Sequence, residues 1–327
     1  MKKVTFSSIL FVTLIVVQSM LWAKTNEGFS RQYDYRPETI DQYKARQALL
    51  RKSNIKKNQA HEIAKSDVGL QRPVETKKKG LGYHLGFSSK IYYSNNPLST
   101  ESGLYKISAG IWENSIHNNF LLGAYDLRGS TFSPLIGISY TSFSHFGNES
   151  IRKQNMDFGS LNLNFAGIFS FGNGWSVRPS LGYTSDFSHK SNSSQLYSQL
   201  SPSLALSKNF SIGKINSFAD WSLAYNFTDS ELGGDFLDRF ETALTWGLFI
   251  PFSNFEFSPY VRVSLSDYSN QSKTDLGANL GLDLSYNITE WMALRIYSTL
   301  STRRSSKENM DFTRVDTGTG ASLNARF

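Results

Sequence analysis

The chain has 327 residues, 24 Phe, 16 Tyr, 24 glycines, 8 prolines, no cysteine and a formal charge of +7 at neutral pH. The lack of cysteine excludes disulfide scaffolds, thiolate metal sites and cysteine nucleophiles. The five histidines (His61, His84, His117, His145, His189) are too dispersed for an H-E-x-x-H metal motif. A mean hydropathy of −0.34 with 39% apolar residues suggests a water-soluble chain only if the apolar positions are not confined to every second residue.

Lys2 and Lys3 precede an apolar run from Ile9 to Val17, and Leu21-Trp22-Ala23 ends in a small residue. This pattern predicts an export signal over residues 1–23, cleaved after Ala23. The run is short for a membrane-spanning helix, and no second run of about 18 apolar residues follows. No cysteine follows the cleavage point, so a cysteine-linked lipid anchor is excluded. Residues 24–79 carry 14 Lys/Arg against 7 Asp/Glu, whereas 80–327 carry 18 against 20, so the excess positive charge is N-terminal. Thr39 and Gln42 resemble a capping box, and Ile40, Tyr43 and Leu50 share a helical stripe, predicting a short helix over Thr39–Lys52 that resumes near Asn58–Ser66. Two readings of residues 24–79 stand: a solvated flexible tail, or a basic helix that lies on an anionic membrane surface or enters the mouth of the following fold.

From Gly80 the apolar period is two. Runs at Leu81–Tyr93, Leu104–Trp112, Phe120–Leu127 and Phe132–Phe143 precede further alternating segments at Leu161–Phe171, Trp175–Phe187, Ala219–Phe227, Phe236–Ile250 and Phe255–Leu265. Leu276, Ala278, Leu280, Leu282, Leu284, Tyr286 and Ile288 then alternate with Asp275, Gly277, Asn279, Gly281, Asp283, Ser285 and Asn287. Met292–Leu300 and Val315–Phe327 complete the series. Such alternation puts one face in a greasy environment and the other in a polar one, as strands do and helices do not.

A β-sandwich and a transmembrane barrel both satisfy this alternation. Three features favour the barrel. Aromatic residues mark strand ends at Phe171, Trp175, Phe210, Phe252, Phe255 and Trp291. Short connections at Gly172–Gly174, Ser207–Asn209, Pro251–Asn254 and Asn287–Glu290 alternate with longer ones at Ser188–Gln195, Asp229–Gly234, Asp267–Lys273 and Arg303–Asn309. The last alternating segment ends on Phe327. On these residues the chain resembles the Gram-negative outer-membrane β-barrels, which are porin-like, all-β, antiparallel up-and-down barrels. The resemblance implies a barrel over 80–327 in the cell outer membrane, contacting lipid and lipopolysaccharide, with Phe327 as part of the signal read by the assembly machinery. With the strand implied between the connections Ser188–Gln195 and Ser207–Asn209, thirteen candidate strands exceed the even number such barrels use, and Phe120–Leu127 continues into its neighbour through Arg128-Gly129. The expected count is twelve, with ten or fourteen also compatible.

With the greasy positions toward lipid, the lumen receives Arg178, Asp186, Asp220, Arg239, Glu241, Glu256, Arg262, Asp275, Asp283, Arg295, Arg314, Asp316 and Arg326. Turn placement sets Asp283 opposite Arg295 and makes Glu241 a diagonal neighbour of Arg262. Two readings of this row stand: mutually satisfied pairs that keep the interior wet, or a charged constriction selecting solutes by size and sign. The implied function is a passive pore for a small solute, with no cofactor, no metal and no nucleic acid. His189-Lys190-Ser191-Asn192 is similar to the His-x-Ser-Asn stretch of outer-membrane phospholipase A, which implies a lipid-modifying hydrolase with His189 as base and Ser191 as nucleophile. The family's following glycine is Ser193 here, and no downstream Asn orients the imidazole. Asp229, Glu231, Asp235 and Asp238 form an acidic loop without EF-hand spacing. A structural or adhesive surface barrel is the third reading.

Overall fold

The computed structural model describes residues 82–97, 99, 107–148, 157–189, 195–213, 215–230, 237–289, 291–307 and 310–326. The expected export signal (1–23), the basic segment (24–79), Ser191 and Phe327 lie outside the described residues. Fourteen β-segments follow one another: β1 (Gly82–Ser94), β2 (Ala109–Leu121), β3 (Tyr125–Leu127), β4 (Ser130–Phe146), β5 (Phe158–Phe171), β6 (Trp175–Ser188), β7 (Gln195–Ile212), β8 (Ile215–Ser230), β9 (Arg239–Phe252), β10 (Phe255–Phe257), β11 (Tyr260–Tyr268), β12 (Lys273–Asn287), β13 (Met292–Ser305) and β14 (Phe312–Arg326).

Each long strand pairs antiparallel with the next, and β1 pairs with β14 from His84↔Arg326 to Ser94↔Asp316. The ring is thereby closed. β3 pairs only with β4, while β10 and β11 both lie between β9 and β12, so the wall has twelve strands. Closure leaves no open sheet edge, whose N–H and C=O groups would lack partners where water is absent. Among the described residues no helix is long and apolar enough to cross a membrane; the crossing is made by strands.

Several boundaries differ from the sequence expectations, each for a local reason. β2 runs Ala109–Leu121 instead of Leu104–Trp112, and no separate spanning strand covers Phe120–Leu127. Asn114 and Asn118 interrupt the greasy parity of β2 while Ser115, His117 and Asn119 fill the other face, so the period-two contrast fades after Trp112. Ser207–Asn209 is not a turn, because these residues pair with Asp220–Phe218 and the chain reverses at Gly213, whose φ is 61°. Phe255–Leu265 is broken at Ser258-Pro259, where proline has no N–H to donate to the ladder. The break stays in the wall because Ser258 N donates to Asp283 O (2.7 Å) and Leu248 N to Pro259 O (3.0 Å). The connection expected over Asp267–Lys273 shrinks to Ser269–Ser272 between β11 and β12.

Gly172–Gly174 makes the tight turn expected of it. Asn173 has φ 61° and Gly174 φ 77°, and a Cβ on Gly174 would sit 2.2 Å from the Asn209 carbonyl oxygen. Only glycine fits there.

One rim gathers both ends of the described chain, the longer connection 122–129 and otherwise short turns; the opposite rim carries the connections 95–108, 147–157, 189–194, 231–238 and 306–311 and the short turn 269–272. We call them the near and far rims. Large apolar side chains stand exposed on the outward parity, such as Leu244 (55%), Leu280 (47%) and Ile296 (61%). Phe171, Trp175, Phe210, Phe252, Phe255 and Trp291 are all exposed around the near rim, with Phe252 and Phe255 stacked at 5.5 Å between ring centres. Tyr93, Trp112, Phe146, Phe227 and Phe240 are exposed toward the far rim. An apolar waist between two aromatic girdles is the surface that a bilayer selects.

Candidate lumenal site

The inward parity of β9–β14 holds most of the interior charge, and these side chains lie against one another. Glu241, on the inward face of β9, accepts from Arg262 Nη2 at 3.0 Å, and its other oxygen lies 3.8 Å from Arg239 Nε. Arg239 also donates to Gln199 Oε1 (3.3 Å) and to the Leu237 carbonyl (3.2 Å). Asp275 meets Lys273 Nζ at 2.9 Å and Arg303 Nε at 3.8 Å. Toward the near rim Arg295 Nε donates to Asp283 Oδ2 at 2.9 Å, and its Nη2 donates to the same oxygen. Arg314 Nε stands 3.1 Å from Asp316 Oδ2, and Arg314 Nη1 donates to Ser99 Oγ at 3.0 Å. Lys90 on β1 reaches Glu113 on β2 at 3.2 Å.

Burial makes this pairing necessary, since a charge removed from water without a partner is far more costly than a paired one. Arg239, Glu241, Arg262, Lys273, Asp275, Asp283 and Arg295 are each no more than 8% exposed. The ionic wall is therefore filled by its own side chains.

The wall formed by β4–β8 is different. At mid-depth it presents Asn162 and Asn164, Thr184, Ser180, Ser201 and Ser203, all partly exposed and uncharged. Thr184 Oγ1 donates to Asn162 Oδ1 (2.8 Å), Ser180 and Ser203 hydroxyls lie 2.6 Å apart, and Asn164 makes no side-chain hydrogen bond among the described residues. Nearer the two rims this side of the interior turns apolar. Leu121, Leu135, Ala166 and Ile168 cluster toward the near rim, and Ile111, Phe143 and Phe158 toward the far one. Phe218 and Phe249 form a second stacked near-rim pair.

The register corrects two expected geometries. Asp283 lies opposite Tyr297, and Arg295 opposite Ser285, so that pair is diagonal. The shift arises because Ile288 N and Thr289 N both bond Met292 O (3.0 and 3.2 Å), making the β12–β13 turn wider than the sequence suggested. Arg262 lies opposite Thr245 and Glu241 opposite Ser266, a step beyond the expected diagonal, because the turn is confined to Ser253-Asn254. The long arginine still spans the gap.

Arg178, Glu256, Asp186 and Asp220 share the inward parity; Arg178 and Glu256 are partly exposed, Asp186 and Asp220 buried. The Arg326 side chain lies outside the described residues. Lys90, Glu113, Lys273 and Arg303 were not anticipated, although Ile91, Tyr93 and Leu276 on the opposite parity mark the same strands' outward faces. His189 is exposed at the far end of β6, its Nε2 3.3 Å from the Tyr140 hydroxyl, on the outward side of β4. Asp238 is held by Thr228, accepting from its Oγ1 at 2.9 Å, while Glu231 and Asp235 lie outside the described residues. Among the described residues no group of three or more His, Asp or Glu stands ready for a metal.

A closed twelve-strand antiparallel barrel with a polar lining, an apolar waist and aromatic girdles is an outer-membrane β-barrel, and this chain is one. Its fold is that of barrels found in the cell outer membrane. No protein-family model and no curated protein matches the chain in sequence. Among solved structures it is similar to an outer-membrane channel from Pseudomonas putida F1 (11% identity, 78% of this chain and 100% of that one, TM-score 0.48). It is also similar to the β domain of the Bordetella autotransporter Brka (11%, 75% and 99%, TM-score 0.38) and to outer membrane phospholipase A from Escherichia coli (17%, 78% and 94%, TM-score 0.37).

Proposed function

We propose that the barrel is a passive channel for small solutes, with a mixed-charge lumen whose ionic wall narrows the passage. The observation that carries this reading is the hydrophilic inward parity at mid-depth, charged on β9–β14 and, on β4–β8, a partly exposed wall of amides and hydroxyls. A barrel with only a scaffolding role would be free to fill that wall with apolar side chains, as it does in the clusters nearer its rims. Purified protein inserted into a planar bilayer should give discrete, stable conductance steps. A bilayer that stays electrically silent while the protein is folded and inserted contradicts the channel.

A second reading, a lipid-modifying hydrolase, is favoured by one observation: His189 is exposed beside the outward-facing Tyr140, where a lipid would lie. Fatty-acid release that disappears in Ser191→Ala would support it. Absence of both conductance and lipid hydrolysis would leave a structural or adhesive surface role.

A further inference from the structure

The arrangement of charge inside the barrel bears on which solutes it accepts, and this inference rests on the channel reading above. We propose that the lumen is built for neutral, polyhydroxylated solutes of sugar size, not for ions of a chosen sign.

The ionic wall has little to offer a passing ion. Glu241 is shared between Arg239 and Arg262, Asp275 between Lys273 and Arg303, and Asp283 is held by Arg295 through two bonds. All but the partly exposed Arg303 are almost wholly buried, so an ion would have to displace an existing partner to be recognised. With cations and carboxylates interleaved at contact distance, no long-range field of one sign is left to select anions or cations.

At mid-depth on β5–β7 neutral groups supply most of what remains open, beside the partly exposed Arg178. The partly exposed amides of Asn162 and Asn164 share one face of β5, across from Thr184 and Gly182 on β6. Gly182 and Ala224 leave room beside them, whereas Asn119 fills the space over Gly137. A second and independent feature is spare hydrogen-bonding capacity at buried atoms elsewhere on the inward parity, on β8, β1 and β13. Asn226 is 0% exposed; its Oδ1 accepts from Gln199 Nε2 (3.0 Å) and Ser201 Oγ (2.7 Å), yet its Nδ2 has no partner. Ser94 Oγ, also at 0% exposure, and the Tyr297 hydroxyl are likewise without a partner. Amides and hydroxyls both donate and accept, which matches the vicinal hydroxyls of a sugar, and they carry no net charge to favour an ion of either sign.

The test uses the full mature protein in a planar bilayer with symmetric potassium chloride. A linear glucose trisaccharide added to one side should block the current reversibly and in a saturable way, whereas a polyethylene glycol of matched size, which has ether oxygens in place of most hydroxyls, should block far less. Asn162→Ala with Asn164→Ala should weaken the trisaccharide block by about tenfold, the loss of one or two modest hydrogen bonds. In a salt gradient the wild-type reversal potential should lie near zero. Glu241→Gln, which leaves Arg239 and Arg262 short of a carboxylate, should shift it toward anion preference. A normal conductance that ignores the trisaccharide, or is blocked equally by the polyether, overturns the inference and leaves the channel standing. No conductance at all overturns both. The comparison of the two blockers on wild-type protein decides the matter even if a variant fails to fold.

Discussion

Asp283 and Arg295 show most simply what the interior demands of single residues. Both are buried, at 2% and 7% exposure, and the carboxylate accepts two bonds from one guanidinium. Removing one partner leaves an isolated charge in a confined space, so Asp283→Ala should lower stability by about 3–5 kcal/mol. The double variant Asp283→Leu with Arg295→Met should recover most of that loss. Chemical unfolding from lipid vesicles measures both, and a double variant as damaged as the single one would show that the charges themselves, and not their imbalance, are needed. The parity that sends Asp283 inward was readable from the run of leucines at Leu276, Leu280, Leu282 and Leu284. The contact partner across the strand was not, because register depends on turn width, and nothing in Ile288–Trp291 announces that two amides converge on the Met292 carbonyl.

At the scale of elements, strand existence follows from period-two contrast, and strand limits fail where the contrast fails. β12 alternates without interruption and its end at Asn287 lies one residue from the expected limit of the apolar run, whereas β2 carries asparagines on its outward face and was cut short by sequence reasoning. The far-rim turn between β13 and β14 depends on an exposed carboxylate. Asp311 accepts from the Ser305 backbone N–H at 2.7 Å and from Arg304 Nη1 at 2.9 Å. The Ser305 amide first, and Arg304 second, hold its pKa below the usual carboxylate value. A depressed carboxylate pKa contributes order above the unfolded value and loses it as pH falls through the folded one. The Ser305 amide should therefore exchange slowly near neutrality and lose protection on acidification below about pH 4. Amide exchange followed by mass spectrometry tests this, and Asp311→Asn should remove the pH dependence. Unchanged protection from neutral to acid pH would exclude the clasp.

For the whole molecule, closure was legible because repeated alternation without a covering layer has few stable solutions in a chain whose sequence predicts export, and the turn asymmetry predicted how the strands alternate in direction. The division of the lumen into an ionic wall and a neutral wall was not legible. It depends on which strands face each other around the ring and on which inward side chains are covered by their neighbours, and strand order alone carries neither. Both walls presuppose that hydrocarbon bathes one parity of every strand and that an aqueous space lies behind the other. The absence of native cysteine allows a direct measurement: single cysteines introduced in turn from Gly277 to Ser285 on β12, spin-labelled, with the protein in lipid vesicles. Collision rates with oxygen, which concentrates in lipid, should peak at 278, 280, 282 and 284. Collision rates with a polar nickel chelate should peak at 277, 279, 281, 283 and 285. Profiles that rise and fall together, or that show no two-residue period, would contradict a membrane barrel with a polar interior.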